Sequence, residues 1–174
     1  EILCCLENDH YLNSLCERAI LTPKHSTISR INEQLLQYLP GSPHVYKLVD
    51  TIPDLEEMVS YATKFLSLHV PPGLPQQRWK LKVGIPVMLL RNLDPPSLCN
   101  GTRLVVKKMV PHVIEATILS GCGKGEVFTP RIHFIPSRGE ITFSFRRVQF
   151  PIRISFAMSI NKFQVQTLSV VGLH

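Results

Sequence analysis

The 174-residue chain lacks the sequence features that mark several protein classes. No apolar run approaches the roughly 20 residues that a membrane-spanning helix needs, and the start has no signal-peptide order. The five cysteines are an odd number without a C-x-x-C pair, and the seven histidines include no H-E-x-x-H. We therefore expect an intracellular protein with reduced thiols, no disulfide framework, no metal site and no membrane partner.

A phosphate-binding loop is also missing. The glycine-rich segment Gly121–Gly125 fails the pattern G-x-x-x-x-G-K-[ST], because Ile118 stands at the first glycine position and Gly125 at the Ser/Thr position. We interpret this segment as a hairpin turn. The chain starts at Glu1 rather than Met and stops directly after an apolar run, so we expect it to be a piece of a longer protein.

The composition is rich in hydrophobic residues and carries an excess of positive charge. Hydrophobic residues make up 44% of the chain, which is enough for a real core. Lysine and arginine number 19 against 13 acidic residues, giving a net charge of +6. This excess favours polyanionic partners such as nucleic acid.

The first third of the sequence has the pattern of an α/β protein. Arg18–Pro23 is a short apolar run ended by proline, which predicts a buried parallel strand. Ser26 is a candidate N-cap for a helix whose polar side includes Asn32. Its apolar side recurs at helical spacing through Ile28, Ile31, Leu35 and Leu39. We expect a second strand at 44–49 and a second helix at 56–68.

A proline-rich linker at 70–75 separates this part from a β-rich one. Five short β-rich runs follow: Trp79–Arg91, Thr102–Val110, Val113–Leu119, Glu126–Ile135 and Ile141–Phe150. Runs of this length, separated by turn residues, are typical of a small antiparallel barrel. Residues 76–150 are therefore predicted to be an all-β module inserted in an α/β one.

The closing stretch, Phe156–His174, places polar side chains between two apolar runs and predicts a strand, a polar turn or short helix, and a second strand. An amine, several amides and hydroxyls so close together suit contact with phosphates or bases. The alternative is a solvated helix between two core strands. The polar side chains include Asn161, Lys162, Gln164, Gln166 and Thr167.

A second candidate surface combines cations with aromatic rings. Arg146, Arg147 and Arg153 lie close in sequence to Phe145 and Phe150. Such interleaving suits single-stranded nucleic acid, because bases stack on rings while arginines meet phosphates. The alternative is a solvated strand edge.

Six short blocks follow one another along the sequence. They are RAILTP from Arg18, LKVGIPVMLLRNLDP from Leu81, CNGTRL from Cys99, TPRI from Thr129, RVQFPI from Arg147 and FAMSINK from Phe156. Together, in this order and over residues 18 to 173, they resemble the PIF-type (petite integration frequency) DNA helicases, in the branch carried by Helitron transposons.

The resemblance implies an α/β fold: a RecA-like second helicase lobe, with a parallel sheet and helices, interrupted by an inserted small Src-homology-3-like β-barrel. Residues 1–17 would be the remnant of a preceding segment, 18–75 the first part of the lobe, 76–150 the barrel and 151–174 the truncated second part of the lobe. The first RecA-like lobe would lie elsewhere in the complete protein.

The resemblance also implies a function, which is ATP-dependent unwinding of DNA. The complete helicase would move along single-stranded DNA from 5′ to 3′, with ATP and magnesium as cofactors. The resemblance implies a nuclear location, with mitochondria as the alternative. It places four residues at the nucleotide and DNA cleft, namely Lys162, Gln164, Gln166 and Thr167. The family-like segments add four candidates for DNA binding, namely Asn92, Asn100, Thr102 and Arg103.

The closing motif departs from the family's usual I-(N/H)-K-S-Q-G-Q-T. Phe163 replaces the small serine, and Val165 replaces a glycine. Glycine allows close approach of the backbone, whereas valine does not readily do so. Without the phosphate loop and magnesium carboxylates of the first lobe, or the arginine finger, we expect no catalytic residue here and no ATP hydrolysis by this chain alone. The alternative is a non-enzymatic single-strand-binding or interaction module, a degenerate transposon-derived relic.

Overall fold

A computed structural model describes residues 18–47, 49–51, 78–119, 125–134, 146–163 and 170–173. The strands are β1 (Arg18–Thr22), β2 (His44–Lys47), β3 (Val49–Thr51), β4 (Arg78–Leu81), β5 (Pro86–Leu89), β6 (Arg103–Met109), β7 (Val113–Ile118), β8 (Glu126–Pro130), β9 (Ile132–Phe134), β10 (Arg146–Gln149), β11 (Ile152–Ile154), β12 (Ala157–Ser159) and β13 (Val170–Leu173). The helices are α1 (His25–Tyr38) and α2 (Ile160–Phe163). Neither is long and apolar enough to cross a membrane. The helix expected at 56–68, the linker at 70–75 and residues 1–17 lie outside the described residues.

A parallel sheet joins the two ends of the described chain. Its strand order is β12-β1-β13, and β1 pairs in parallel with both neighbours. The prediction of a buried parallel strand at the start is confirmed, since Ala19 and Leu21 are buried. The predicted order of strand, short helix and strand at the end is confirmed for β12, α2 and β13.

Helix α1 covers this sheet with one apolar face. Ile28 and Ile31 pack against Ala157 of β12.

The N-cap residue of α1 is Lys24 rather than Ser26. Ser26 lies inside the first turn, and Lys24 makes no capping hydrogen bond through its side chain. The predicted helix is confirmed, while its predicted cap is wrong. After the helix, in the bend that precedes β2, Gly41 has a positive φ of 88°.

The main core belongs to an antiparallel sheet of five strands, ordered β11-β5-β6-β7-β8. The long run predicted at Trp79–Arg91 is divided into β4 and β5 by a turn at Gly84, whose φ is 81°. Its buried side chains form one cluster that includes Val87, Leu104 and Ile114. Burial of these branched apolar side chains is the main stabilising term for this part of the chain.

The small antiparallel barrel predicted for residues 76–150 does not close within the described residues, where the five-stranded sheet is open. Its two outer strands, β11 and β8, are not paired with each other there. Strand β8 ends at Pro130, which lacks the N–H needed to continue the ladder. The chain then turns into β9, which pairs with β10 in a separate sheet ordered β3-β10-β9.

Strands on the two sides of the predicted domain boundaries pair with each other. Strand β2 pairs with β4, β3 pairs with β10, and β11 pairs with β5. Met88 of β5 also packs with Ala19, Leu21 and Met158 of the parallel sheet. The two parts of the chain therefore share both strand ladders and side-chain contacts. Strand pairing alone does not define where a domain begins, so the predicted domain limits stay a prediction.

Candidate nucleic-acid interface

A shallow, largely open surface depression, called the groove below, lies between the end of β5 and the start of β6. It is lined by Leu90, Arg91, Asn92 and Asn100. Asn92 and Asn100 are both exposed and meet directly, because the Asn100 N–H donates to Asn92 Oδ1 at 2.7 Å. The structure thus brings together two of the residues that the sequence singles out for DNA binding.

A tight turn holds this groove in place. The Thr102 N–H donates to the Cys99 carbonyl at 3.0 Å, and the Cys99 N–H donates to Thr102 Oγ1 at 3.1 Å. Gly101 has a φ of 96°, which favours glycine at this position. The Thr102 hydroxyl therefore accepts a hydrogen bond inside the turn, so this residue shapes the groove.

Arg91 is the groove residue that sequence reasoning missed. Its guanidinium carbon lies 5.2 Å from the ring centroid of Phe134, a cation–π contact. The side chain of Arg91 is exposed, while Phe134 is only 4% exposed. Phe134 belongs to β9, far away in sequence, so no local pattern reveals the contact. The family-like block that contains Arg91 was the only available signal.

Two of the predicted DNA-binding arginines lie inside the protein. Arg103 is 0% exposed and Arg147 is 1% exposed. Arg103 donates from Nη2 to the carbonyl of Arg18 at 3.1 Å, which ties β6 to β1. Buried charged groups need such partners, so we assign Arg103 a structural role.

Arg153 and Arg146 occupy neighbouring strands. Arg153 lies in β11 in register with Met88, and it is half-buried. Burial lowers the pKa of the Arg153 guanidinium from its ordinary value. Arg146 lies in β10 in register with Thr51.

The closing motif begins at the carboxyl edge of the parallel sheet. Thr22 of β1 is in register with Ser159 of β12, and both parallel strands therefore end side by side. Helix α2 follows Ser159 at once and contains Asn161, which is exposed, and Lys162. Open α/β sheets bind their ligands at this edge. Gln164, Gln166 and Thr167 lie outside the described residues.

Asn32 positions this motif from the neighbouring helix. Its Nδ2 donates to the carbonyls of Ile154 and Ala157, each at 3.1 Å, and its Oδ1 accepts from the Ala157 N–H at 2.8 Å. The sequence placed Asn32 on the polar side of the helix, and that prediction is wrong, since it is only 6% exposed. Its spacing of four residues from Ile28 was the signal that puts it on the buried face.

The other end of α1 is fixed by a buried lysine. Lys82 is 8% exposed and donates from Nζ to the carbonyl of Leu39, the C-cap residue. A lysine here satisfies a terminal carbonyl and complements the negative end of the helix dipole. The helix is thus fixed to the β12 segment near its middle and to the β-rich part at its end.

No group of three or more His, Cys, Asp or Glu side chains that could hold a metal ion occurs among the described residues. The sequence supplies no phosphate-binding loop either. No chemical step is assigned to the described residues.

Comparison with known proteins shows what parts of this chain are similar to. Residues 64–109 match the family model described as DNA helicase Pif1, 2B domain. The chain is 34% identical over 144 residues to the ATP-dependent DNA helicase PIF1 of Xenopus laevis, a match that covers 82% of this chain and 21% of that relative. The chain thus spans about a fifth of the length of this relative.

Solved structures give the same result for the fold. The crystal structure of Pif1 helicase from Candida albicans matches with a TM-score of 0.64 and 23% identity, covering 95% of this chain and 44% of that one. A Bacteroides Pif1 bound to ssDNA matches with a TM-score of 0.64 and 18% identity, covering 98% of this chain and 36% of that one. In sequence and in fold, this chain is therefore similar to part of the Pif1-type ATP-dependent DNA helicases.

Proposed function

We propose that this chain is a segment of an ATP-dependent DNA helicase that binds single-stranded DNA and forms one side of the ATP cleft. The observation that carries the proposal is the position of Asn161 and Lys162, directly after β12 at the carboxyl edge of the parallel sheet. This edge is where α/β sheets bind ligands. The relation to Pif1-type helicases, found in both sequence and fold, supports the assignment.

The proposal assigns different parts of the chain to two structural modules. Residues 18–75 and 151–174 form a RecA-like second lobe, and residues 76–150 form an inserted Src-homology-3-like module. The parallel sheet under α1 supports the first part, and the antiparallel sheet supports the second. Unwinding from 5′ to 3′, membership of the Helitron branch and a nuclear location belong to the same proposal.

Single-stranded DNA is the proposed partner. The net charge of +6 favours a polyanion, and one structural relative is described as a Pif1 bound to ssDNA. The groove with Asn92 and Asn100 and the exposed Asn161 are the described surfaces that we assign to the strand. Lys162, Gln164, Gln166 and Thr167 complete the proposed nucleotide and DNA cleft.

ATP and magnesium are proposed for the complete helicase, where the first RecA-like lobe would supply the phosphate loop and the metal carboxylates. One structural relative is described in complex with ADP-AlF3 and ssDNA. Bound between the lobes, the nucleotide would supply the free energy of phosphoryl transfer, while this chain contributes Lys162 and its polar neighbours to one wall. The chain by itself is proposed not to hydrolyse ATP.

A second candidate function is a non-enzymatic module that keeps the binding surfaces of a transposon-derived relic. The observation in its favour is the closing motif, where Phe163 and Val165 replace small residues of the family pattern. A bulky ring and a β-branched residue restrict close approach of a nucleotide or strand. Such a module would bind DNA without coupling it to ATP.

The coding sequence upstream of residue 1 separates the two functions. A G-x-x-x-x-G-K-[ST] motif in frame, after a predicted strand and before a helix, is the expected result for the helicase. Stop codons or unrelated sequence in that region would contradict the helicase and favour the relic.

A further inference from the structure

We propose that the groove lined by Leu90, Arg91, Asn92 and Asn100 is a seat for one backbone phosphate of single-stranded DNA, with Arg91 as its cation. This inference rests on the proposed function and names the contact that a strand would make there. Arg91 is not among the arginines that the sequence analysis selected for DNA binding, which are Arg103, Arg146, Arg147 and Arg153.

The first argument is the way in which Arg91 is held. Its guanidinium carbon lies 5.2 Å from the ring centroid of the buried Phe134. A cation–π contact uses no hydrogen-bond acceptor, so the guanidinium can still donate its N–H groups to a phosphate oxygen. The ring therefore orders an exposed side chain that would otherwise lose rotamer entropy on binding a phosphate.

The second argument is the set of hydrogen-bond donors in the groove. Asn92 uses its Oδ1 to accept from the Asn100 N–H at 2.7 Å, which leaves the NH2 group of the same amide as a donor. The four lining residues include one cation and no carboxylate. A guanidinium beside an amide NH2 suits a phosphodiester oxygen, and the half-buried Leu90 offers an apolar wall to the adjoining sugar.

The third argument is the rigidity of the groove walls. The Leu89 N–H donates to the Thr102 carbonyl and the Gly101 N–H donates to the Leu89 carbonyl, each at 2.9 Å. These bonds join the end of β5 to the segment before β6, the two segments that carry the groove residues. A preformed site loses less conformational entropy when it binds its ligand.

The fourth argument is the placement of the nearby arginines. Arg103 belongs to the same family-like part of the chain, yet it is 0% exposed and donates to the Arg18 carbonyl. Arg91 is the exposed member of this pair and the one that borders the groove. A strand that crosses the groove therefore meets the Arg91 guanidinium.

The test compares Arg91→Ala with the unchanged 174-residue chain by fluorescence anisotropy of a labelled oligo-dT strand of about 15 nucleotides. Affinity is measured across salt concentrations from about 50 to about 300 mM. Arg91→Ala should weaken binding by roughly fivefold at the lowest salt and reduce the magnitude of the log–log salt slope by about 0.7, the value for one phosphate on a single strand. Arg91→Lys should fall between the two, because it keeps the charge and loses the planar fork.

Lys107→Ala is the matched control, because it removes one exposed cation from β6 at a distance from the groove. It should leave the salt slope near that of the unchanged chain. Equal affinity and slope for Arg91→Ala and the unchanged chain, or an equal loss in Lys107→Ala, would overturn the phosphate seat while the proposed function stands. Failure of the unchanged chain to bind the strand at all would overturn both.

Discussion

At the scale of single residues, polar side chains in this chain divide into those that hold the fold and those that meet solvent. Arg103 and Lys82 each donate to a backbone carbonyl from a buried position. Arg91 and Asn92 are exposed at the groove. A sequence pattern counts all of them alike as polar or basic, because burial of a cation depends on partners far away in the chain.

The buried guanidinium of Arg103 should matter for stability and not for DNA. Arg103→Met keeps most of the side-chain length but leaves the Arg18 carbonyl without its donor, so we expect the free energy of unfolding to fall by about 1–3 kcal/mol. Urea denaturation measures the change, with Lys107→Met on the same strand as an exposed control. Unchanged stability combined with a loss of affinity for single-stranded DNA would show that Arg103 is a DNA contact after all.

At alkaline pH, the stability of the folded chain should depend on the ionisation of the Tyr46 hydroxyl. This hydroxyl donates to the Val110 carbonyl at 3.0 Å, and burial raises the pKa of Tyr46, an effect that the nearby Arg131 charge partly opposes. Because the folded-state pKa lies above the unfolded value, the stabilisation is fully present below about pH 10 and is lost as pH rises through the folded pKa.

We therefore expect the urea midpoint of the unchanged chain to fall more steeply above about pH 10 than that of Tyr46→Phe, which cannot ionise at this position. At about pH 8 the variant should be the less stable of the two, because it lacks the hydrogen bond. Parallel curves for the two proteins across this range would contradict the role given to Tyr46.

At the scale of elements, helix α1 is the piece that fixes the closing motif. The side chain of Asn32 donates two hydrogen bonds to the Ile154–Ala157 segment and accepts one from it, and α2 begins three residues after Ala157. The apolar face of the helix adds Ile28 and Ile31 against Ala157. The position of Lys162 therefore depends on the packing of α1.

Asn32→Leu should destabilise the protein by about 2–4 kcal/mol, because it leaves a buried N–H and two carbonyls of the β12 segment without partners. Thermal or urea denaturation measures the loss. Gln34→Leu, an exposed change on the same helix, is the control and should shift stability by less than about 0.5 kcal/mol. Equal stability of the two variants would contradict the assigned role of Asn32.

The helices and strands also show which features of the fold can be predicted from local sequence patterns. Helix α1, β1 and the strands after the linker were predictable, because apolar spacing and turn residues act over a few positions. The inward position of Asn32 was missed because only contacts with residues more than 120 positions away in sequence make it favourable. The open sheet was missed because Pro130 ends β8 and β9 then pairs with β10, a choice that strand spacing alone does not reveal.

At the scale of the whole molecule, the two predicted parts are joined more closely than a simple insertion would require. Three strand ladders cross the expected boundaries, and Met88 lies in a cluster with side chains of the parallel sheet. Movement of the groove relative to the closing motif would strain these contacts. We therefore expect the two parts to move little relative to each other.

The candidate site was predictable only in part. Asn92 and Asn100 were selected through the family resemblance, and the structure brings them together at the groove. Arg91 was not selected, because its partner Phe134 is 43 positions away, in β9. A cation–π contact of this kind depends on the folded arrangement and leaves no periodic signal in the sequence.

The central claim is that this chain meets single-stranded DNA through its phosphates, and the salt dependence of binding tests it most directly. Anisotropy of a labelled oligo-dT strand, titrated with the 174-residue chain at several KCl concentrations, should show weak binding at low salt. The logarithm of the binding constant should fall linearly with that of the salt concentration, with a slope of about −1.4 or steeper, as expected for two or more phosphates. Binding that is absent at low salt, or that does not change with salt, would contradict the account.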